Sequence, residues 1–258
     1  MPELYIHSTK KIGDFPLIAG SLTDNDVITL ENATVGAADI LELRIDMFED
    51  VAVKHVKNIF CKAVDKYKKP IIATIRSVAE GGRQEIADRL SIFSNIINLA
   101  DIVDVEISSP ELFKDLRHLC DTHEKIVLGS YHNFEYTPDN SFLEDIFQKG
   151  KSLGADLVKI AVTGKSRQDM FRLTEFTLKH RDDGIVSISM GDIGLPSRIC
   201  SPLCGSLITY GYVSQPTAPG QISISELVYI FRRLKVLGAD AASFRSACPQ
   251  APAHKPQD

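Results

Sequence analysis

The sequence predicts a single (β/α)8 barrel, and three observations carry that prediction. Short β-branched runs recur at 17–21, 40–45, 71–75, 102–107, 126–130, 157–161, 185–190 and 203–207, which makes eight strands. Longer stretches with helical spacing separate them, and strands alternating with helices imply a parallel sheet. The strand starts lie roughly 20 to 32 residues apart, about one βα unit each, a rhythm that suits a closed barrel better than an open doubly wound sheet.

Taken in order, the first strand ends on Ser21 and the second reads Leu41-Glu42-Leu43-Arg44-Ile45-Asp46, so polar groups gather at its C-terminal end. Lys66, Lys68 and Lys69, just before Pro70, read as the solvated end of the following helix, where cations are favoured. The third strand ends Thr74-Ile75-Arg76 and leads into Ser77-Val78-Ala79-Glu80-Gly81-Gly82. Within 88–100, Ile92, Phe93, Ile96, Ile97 and Leu99 form an apolar stripe at helical spacing. The fourth strand carries Glu106, the fifth ends Ser130-Tyr131-His132, the sixth carries Lys159 and the seventh ends Ser189-Met190-Gly191.

After the eighth strand, the segment from Tyr210 to Gln221 mixes glycine hinges with stiff prolines; it reads as an active-site lid or, with equal weight, as an exposed turn. An amphipathic helix over 225–237 completes the last unit. Gly36, Gly150, Gly154, Gly184 and Gly238 fall near expected helix ends, where a residue with positive φ is wanted. Three prolines and little apolar surface after Ala247 predict a mobile tail. The expected organisation is one catalytic barrel over 1–246 and a tail over 247–258.

A hydrophobic share of 44% with 24% charged residues supports a full core. The formal net charge of −5, with no basic stripe, argues against nucleic acid as a partner. No signal-peptide pattern opens the chain and no apolar run approaches the roughly 20 residues of a membrane span, so a soluble protein is expected. Five scattered cysteines read as reduced thiols and point to the cytoplasm. The histidines other than His132 show no metal-ligand spacing, and Cys200 with Cys204 lack further nearby ligands, so no metal is indicated. Thr163-Gly164-Lys165-Ser166 resembles the end of a phosphate loop, but Lys159 stands where that motif needs glycine, and nucleotide cofactors are not supported.

A barrel places its chemistry at the C-terminal ends of its strands. In 156–161, alternation puts Val158 and Ile160 on one face and Lys159 on the other, so Lys159 points inward if helices cover the apolar face. Desolvation lowers a lysine pKa and raises the fraction of free amine able to attack a carbonyl. The plain alternative is a lysine ion-paired to Glu106 or Glu42 for stability. His132 belongs on the rim beside Lys159 as a proton shuttle or a simple hydrogen-bonded rim residue, and Glu80 can orient its ring. Arg198 can present a planar fork to an anion.

Glu42-Leu43-Arg44-Ile45-Asp46, Thr74-Ile75-Arg76-Ser77 with Glu80-Gly81-Gly82, Ser130-Tyr131-His132-Asn133-Phe134, Val158-Lys159-Ile160-Ala161, Ser189-Met190-Gly191, Ser197-Arg198 and Ala218-Pro219-Gly220-Gln221 together resemble the type I 3-dehydroquinate dehydratases. The resemblance spans nearly the whole chain. It implies a barrel, usually a homodimer, that converts 3-dehydroquinate to 3-dehydroshikimate in the shikimate pathway without metal or organic cofactor. By that resemblance Lys159 forms the imine, His132 is general base and acid, and Glu80 steadies it. Glu42, Arg44 and Arg76 look like contacts to ring hydroxyls, Arg198 and Gln221 like a carboxylate clamp, and Met190 and Tyr210 like an apolar wall. Ser21 and Thr217 complete the expected substrate contacts.

Two positions depart from the pattern: Tyr210 stands where phenylalanine is expected, and Thr217 where serine is common. A phenol can hydrogen-bond or crowd the substrate, and an added methyl can slow lid closure. Two rival readings stay open. A class I aldolase would use Gly191-Asp192-Ile193-Gly194 for a sugar phosphate, although Asp192 repels phosphate. A binding barrel without turnover would need neither the inward amine nor the rim base.

Overall fold

The computed structural model describes residues 5–6, 10–13, 15–216, 220–234 and 236. An antiparallel hairpin, β1 (Tyr5–Ile6) and β2 (Lys10–Lys11), precedes eight parallel strands: β3 (Leu17–Leu22), β4 (Ile40–Arg44), β5 (Ile71–Thr74), β6 (Ile102–Glu106), β7 (Ile126–Asn133), β8 (Leu157–Thr163), β9 (Ile185–Met190) and β10 (Ile208–Tyr212). Each pairs with the next in sequence, and β10 pairs back on β3, with Ile208 opposite Leu17 and Tyr212 opposite Ser21. The eight strands thus form a nearly closed (β/α)8 barrel. The seam between β9 and β10 is carried by Leu207 N–H donating to Ile185 O at 3.0 Å and Ser187 N–H donating to the Ser206 hydroxyl at 3.0 Å.

Alternation sorts the strands' side chains into two apolar layers. Val158, Ile160 and Val162 of β8, with Val103 and Val105 of β6, face the helices. Ile72, Ile102, Leu128, Leu157, Val186 and Ile208 fill the barrel interior, where Ile6 and Ile12 of the hairpin region join them. The helical layer comprises α1 (Asp24–Thr29), α2 (Asn32–Val35), α3 (Val53–Tyr67), α4 (Arg89–Ile96), α5 (Pro110–Thr122), α6 (Asn140–Ser152), α7 (Arg167–Lys179), α8 (Ser197–Leu203) and α9 (Ile224–Arg233). Several starts are written in side chains. Thr23 with Asp26, Ser166 with Asp169 and Ser223 with Glu226 form reciprocal capping boxes at α1, α7 and α9. Each such cap is worth about 1 kcal/mol.

The first seven strands fall where the sequence places them. The eighth does not: 203–207 is the end of α8 and its turn, and β10 runs over Ile208–Tyr212. Gly205, at φ 111°, supplies the left-handed turn that a strand through this point would not need. Tyr210 therefore lies inside a barrel strand, not in the segment beyond it. The stripe at 88–100 is α4 followed by a 3-10 turn over Ile97–Leu99, and the last helix is Ile224–Arg233.

Gly154 and Gly184 do have positive φ at turns after helices. Gly36 has φ −54°. Gly150 lies within α6, where its lack of a side chain serves packing: a Cβ would come within 2.9 Å of Ile107 and 3.0 Å of Val158. Gly238 and the expected tail over 247–258 lie outside the described residues. Among the described residues no helix is long and apolar enough to cross a membrane.

Candidate active site

Lys159 shares its strand face with Leu157 and Ala161, which belong to the barrel interior, so the inward orientation expected from alternation is found. The lysine is 4% exposed. Its Nζ stands 3.4 Å from Asp104 Oδ2, 3.7 Å from Glu42 Oε1 and 4.1 Å from the centre of the Tyr210 ring. Burial lowers the amine pKa and outweighs Asp104 and Glu42, which raise it. The ion pairing expected with Glu42 is present; that with Glu106 is replaced by Asp104.

Glu106 instead anchors an arginine lattice under the site. Arg76 Nη1 donates to Glu106 Oε1 at 3.1 Å and to the Ser130 hydroxyl at 2.7 Å, and Nη2 donates to Asp104 Oδ2 at 2.8 Å. Arg89 Nη1 donates to Glu106 Oε2 at 2.6 Å. The Ser130 hydroxyl passes its own hydrogen to Asp104 Oδ1 at 2.6 Å. Burial alone would raise the Asp104 carboxyl, but Arg76 and Lys159 hold it below its ordinary range. Buried charges persist when each is paired and hydrogen-bonded in this way.

Glu42 is fixed from behind, accepting from the Ser21 hydroxyl at 2.7 Å and the Thr74 hydroxyl at 3.1 Å. Arg44 grips Asp46 with two parallel bonds, 2.9 and 2.8 Å, a planar fork that orients the guanidinium. On the other side of the mouth, Glu80 Oε2 accepts from His132 N–H at 3.0 Å and lies 3.1 Å from His132 Nδ1, while Oε1 accepts from the Ser108 hydroxyl at 2.5 Å. Burial pushes the Glu80 carboxyl up to about 7. Burial, followed by Arg76, Lys159 and Arg44, holds the His132 imidazole well below its usual value. This shift favours the neutral ring, whose contact with Glu80 at Nδ1 is a hydrogen bond. With Glu80 ionised, the hydrogen sits on Nδ1 and the lone pair on Nε2.

These groups line one cavity. Glu42, Arg44, Arg76, Glu80, His132, Lys159, Met190, Arg198, Tyr210 and Gln221 all face it, together with Gly81, Phe134, Ala161 and Ile188. Arg198, on the first turn of α8, donates from Nη1 to Tyr210 O at 3.1 Å, and burial pushes its guanidinium down to about 10. Phe134 stacks at 6.4 Å on the His132 ring and packs so closely on Gly81 that a Cβ there would lie 2.5 Å from it. Ser21 is not in the cavity wall; it stands behind Glu42. Thr217 lies outside the described residues.

Asp104, Ser130, Arg89, Ser108 and Ile188 belong to the site although sequence reasoning did not select them. Asp104 had a signal: it shares strand parity with Glu106. Arg89 and Ser108 approach from other elements, which strand parity does not reveal. Among the described residues no three histidine, cysteine, aspartate or glutamate side chains are grouped to hold a metal ion.

Fold and site define a barrel enzyme built round a buried amine at the C-terminal ends of its strands. The model of the family type I 3-dehydroquinase matches residues 16–237. A 3-dehydroquinate dehydratase from Thermodesulfovibrio yellowstonii is 40% identical over 225 residues, 87% of this chain and 98% of that protein. A type I 3-dehydroquinate dehydratase from Clostridium difficile, solved with covalently modified comenic acid, superposes with a TM-score of 0.81 at 30% identity over 90% of this chain and 97% of that one. The enzyme of the same name from Aquifex aeolicus gives 0.76 at 36% identity, covering 84% and 98%. The chain belongs to the type I 3-dehydroquinase family, and its reaction class is that of a hydro-lyase.

Proposed function

We propose that the protein dehydrates 3-dehydroquinate to 3-dehydroshikimate through an imine on Lys159, with His132 moving the protons. The observation that carries this reading is a buried lysine, its pKa lowered by desolvation, facing the same cavity as a carboxylate-oriented histidine. Such an amine is a nucleophile for a ketone. Its nitrogen bonds to the carbonyl carbon and the oxygen leaves as water. The protonated imine then accepts the electron pair released when His132 Nε2 takes a proton from the adjacent carbon. The resulting enamine expels the β-hydroxyl, which leaves as water with the proton that His132 returns. Hydrolysis of the imine restores Lys159.

The binding roles follow the groups on the wall. Glu42 and Arg44 contact ring hydroxyls; Arg76 lines the same wall, but its Nη1 and Nη2 already serve the lattice, so it acts chiefly by orienting that lattice. Arg198, a buried guanidinium, and Gln221 receive the carboxylate, and Met190 with Ile188 packs against the ring. Ser21 acts through Glu42. The C. difficile relative, solved with covalently modified comenic acid, supports covalent chemistry in this barrel. A cytoplasmic homodimer, with the barrel over 1–246 as its catalytic unit, belongs to the same reading and rests on the family resemblance.

The test is intact mass after incubation with 3-dehydroquinate and sodium borohydride, with peptide mapping. An adduct on Lys159 is expected, absent without substrate. Lys159→Arg is expected to abolish turnover and adduct while substrate binding persists. Turnover retained in that variant would exclude the imine route.

A further inference from the structure

Strand β10 brings to the cavity wall a tyrosine whose hydroxyl the chemistry above leaves unused. Tyr210 is 3% exposed and lines the cavity. Its ring lies under the Lys159 amine, with Nζ 4.1 Å from the ring centre. Its phenolic oxygen is buried and has no hydrogen-bond partner. The neighbouring acceptors are engaged elsewhere: Glu42 holds Ser21 and Thr74, and Asp104 holds Arg76 and Ser130. A buried O–H without an acceptor costs stability, and phenylalanine would fill the same ring space without that cost. An orphaned donor on a residue that lines the cavity, its ring against the nucleophile, marks a place where an arriving ligand can supply the acceptor.

The position of the ring narrows which ligand atom that is. A carbon bonded to Nζ stands beside the Tyr210 ring, and the oxygen on that carbon is one bond further. Resting on the imine reading, we propose that Tyr210 is a catalytic residue whose phenolic O–H donates to the substrate's keto oxygen while Lys159 adds to the carbonyl. As the C–N bond forms, the carbonyl π pair moves onto oxygen, and the hydrogen bond stabilises the charge developing there. Tyr210 keeps its proton. Lys159 adds as the free amine; one of its two hydrogens and the proton it shed to become nucleophilic pass to the oxygen, which leaves as water. Free amine, proton and ketone thus give protonated imine and water. Burial holds the phenol well above its ordinary pKa, which keeps it a donor throughout. Tyr210 thus supplies a polar contact where the resemblance implied an apolar wall.

The experiment is Tyr210→Phe in the full chain, mixed rapidly with 3-dehydroquinate and quenched with borohydride at increasing times, with adduct read by intact mass. Adduct formation is expected to slow on the order of 10²-fold, the scale of losing one such donor. The melting temperature is expected to stay the same or rise, because the substitution removes an unpaired buried hydroxyl. Adduct formation as fast as in the unmodified protein overturns the proposal. Slower formation accompanied by a lower melting temperature also overturns it, since that marks a structural role. No adduct in the unmodified protein refutes the imine reading itself and this proposal with it, a result distinct from equal rates in the two proteins.

Discussion

The two ends of the barrel bury the same strands to the same degree with opposite chemistry. At the N-terminal end of the sheet interior, Ile72 and Ile102 are 0% exposed; two to four residues further along β6, Asp104 and Glu106 are 1% and 0% exposed. Burial alone therefore does not separate core from site. The apolar layer gains from leaving water, residue by residue. The charged layer is tolerated only as a network, because removing one partner leaves another charge buried and unpaired. The lower layer can change one side chain at a local cost, whereas the upper layer responds as a unit.

Three substitutions bear on that contrast. The largest effect is expected from His132→Ala: turnover falls about 10²- to 10⁴-fold, while the borohydride adduct on Lys159 still forms, because proton transfer is lost and amine addition is not. Mass spectrometry alongside steady-state rates checks this, and a variant that makes no adduct would tie the two ends of the mouth more tightly than the structure does. Next, Ile72→Ala in the lower layer should cost roughly 2–5 kcal/mol of stability by denaturant titration. Its kcat, measured where the protein is folded, should be unchanged; a fallen kcat would mean that the apolar layer sets the geometry above it.

The smallest effect concerns Glu80→Gln and is a matter of pH. The Glu80 carboxyl is raised to about 7 in the folded protein from an ordinary 4.5. The folded state therefore binds this proton more tightly than the unfolded chain, and stability falls as pH rises between those values. Glu80→Gln should melt higher than the parent at pH 8, with the difference vanishing toward pH 4.5. The parent should also lose activity as pH falls through about 7, when a protonated Glu80 ceases to hold the hydrogen on Nδ1. The variant should lack that limb; two superimposable pH profiles would remove Glu80 from the proton chemistry.

Much of this was legible in the sequence because a barrel strand obeys period two. Alternation alone turns Lys159 inward, and strand ends gather Glu42, Arg44, His132 and Met190 round one mouth. The same parity places Asp104 beside Glu106. Arg89 was not legible, since it reaches Glu106 from the first residue of α4. The last strand was misplaced because apolar residues at 203 and 207 flank Cys204-Gly205-Ser206, a turn whose geometry only the folded chain declares. That shift of register decides how Tyr210 is seen: a strand residue under the amine and not a lid residue above it.

The junction of β9 and β10 gives the cylinder an unevenness. Seven neighbouring strand pairs are laced by continuous backbone ladders. Beside the eighth, Leu207 N–H donates to Ile185 O, and the Ser206 hydroxyl accepts from Ser187 N–H and donates to Ile208 O at 3.2 Å, so a main-chain bond and a side-chain bridge stand where the other pairs have a ladder. A hoop without a join resists deformation equally all round; a hoop clasped at one point flexes there first. The clasp lies on the strand that carries Tyr210 and receives Arg198. The wall to which the proposed carboxylate contact belongs is thus the one closed without a continuous ladder.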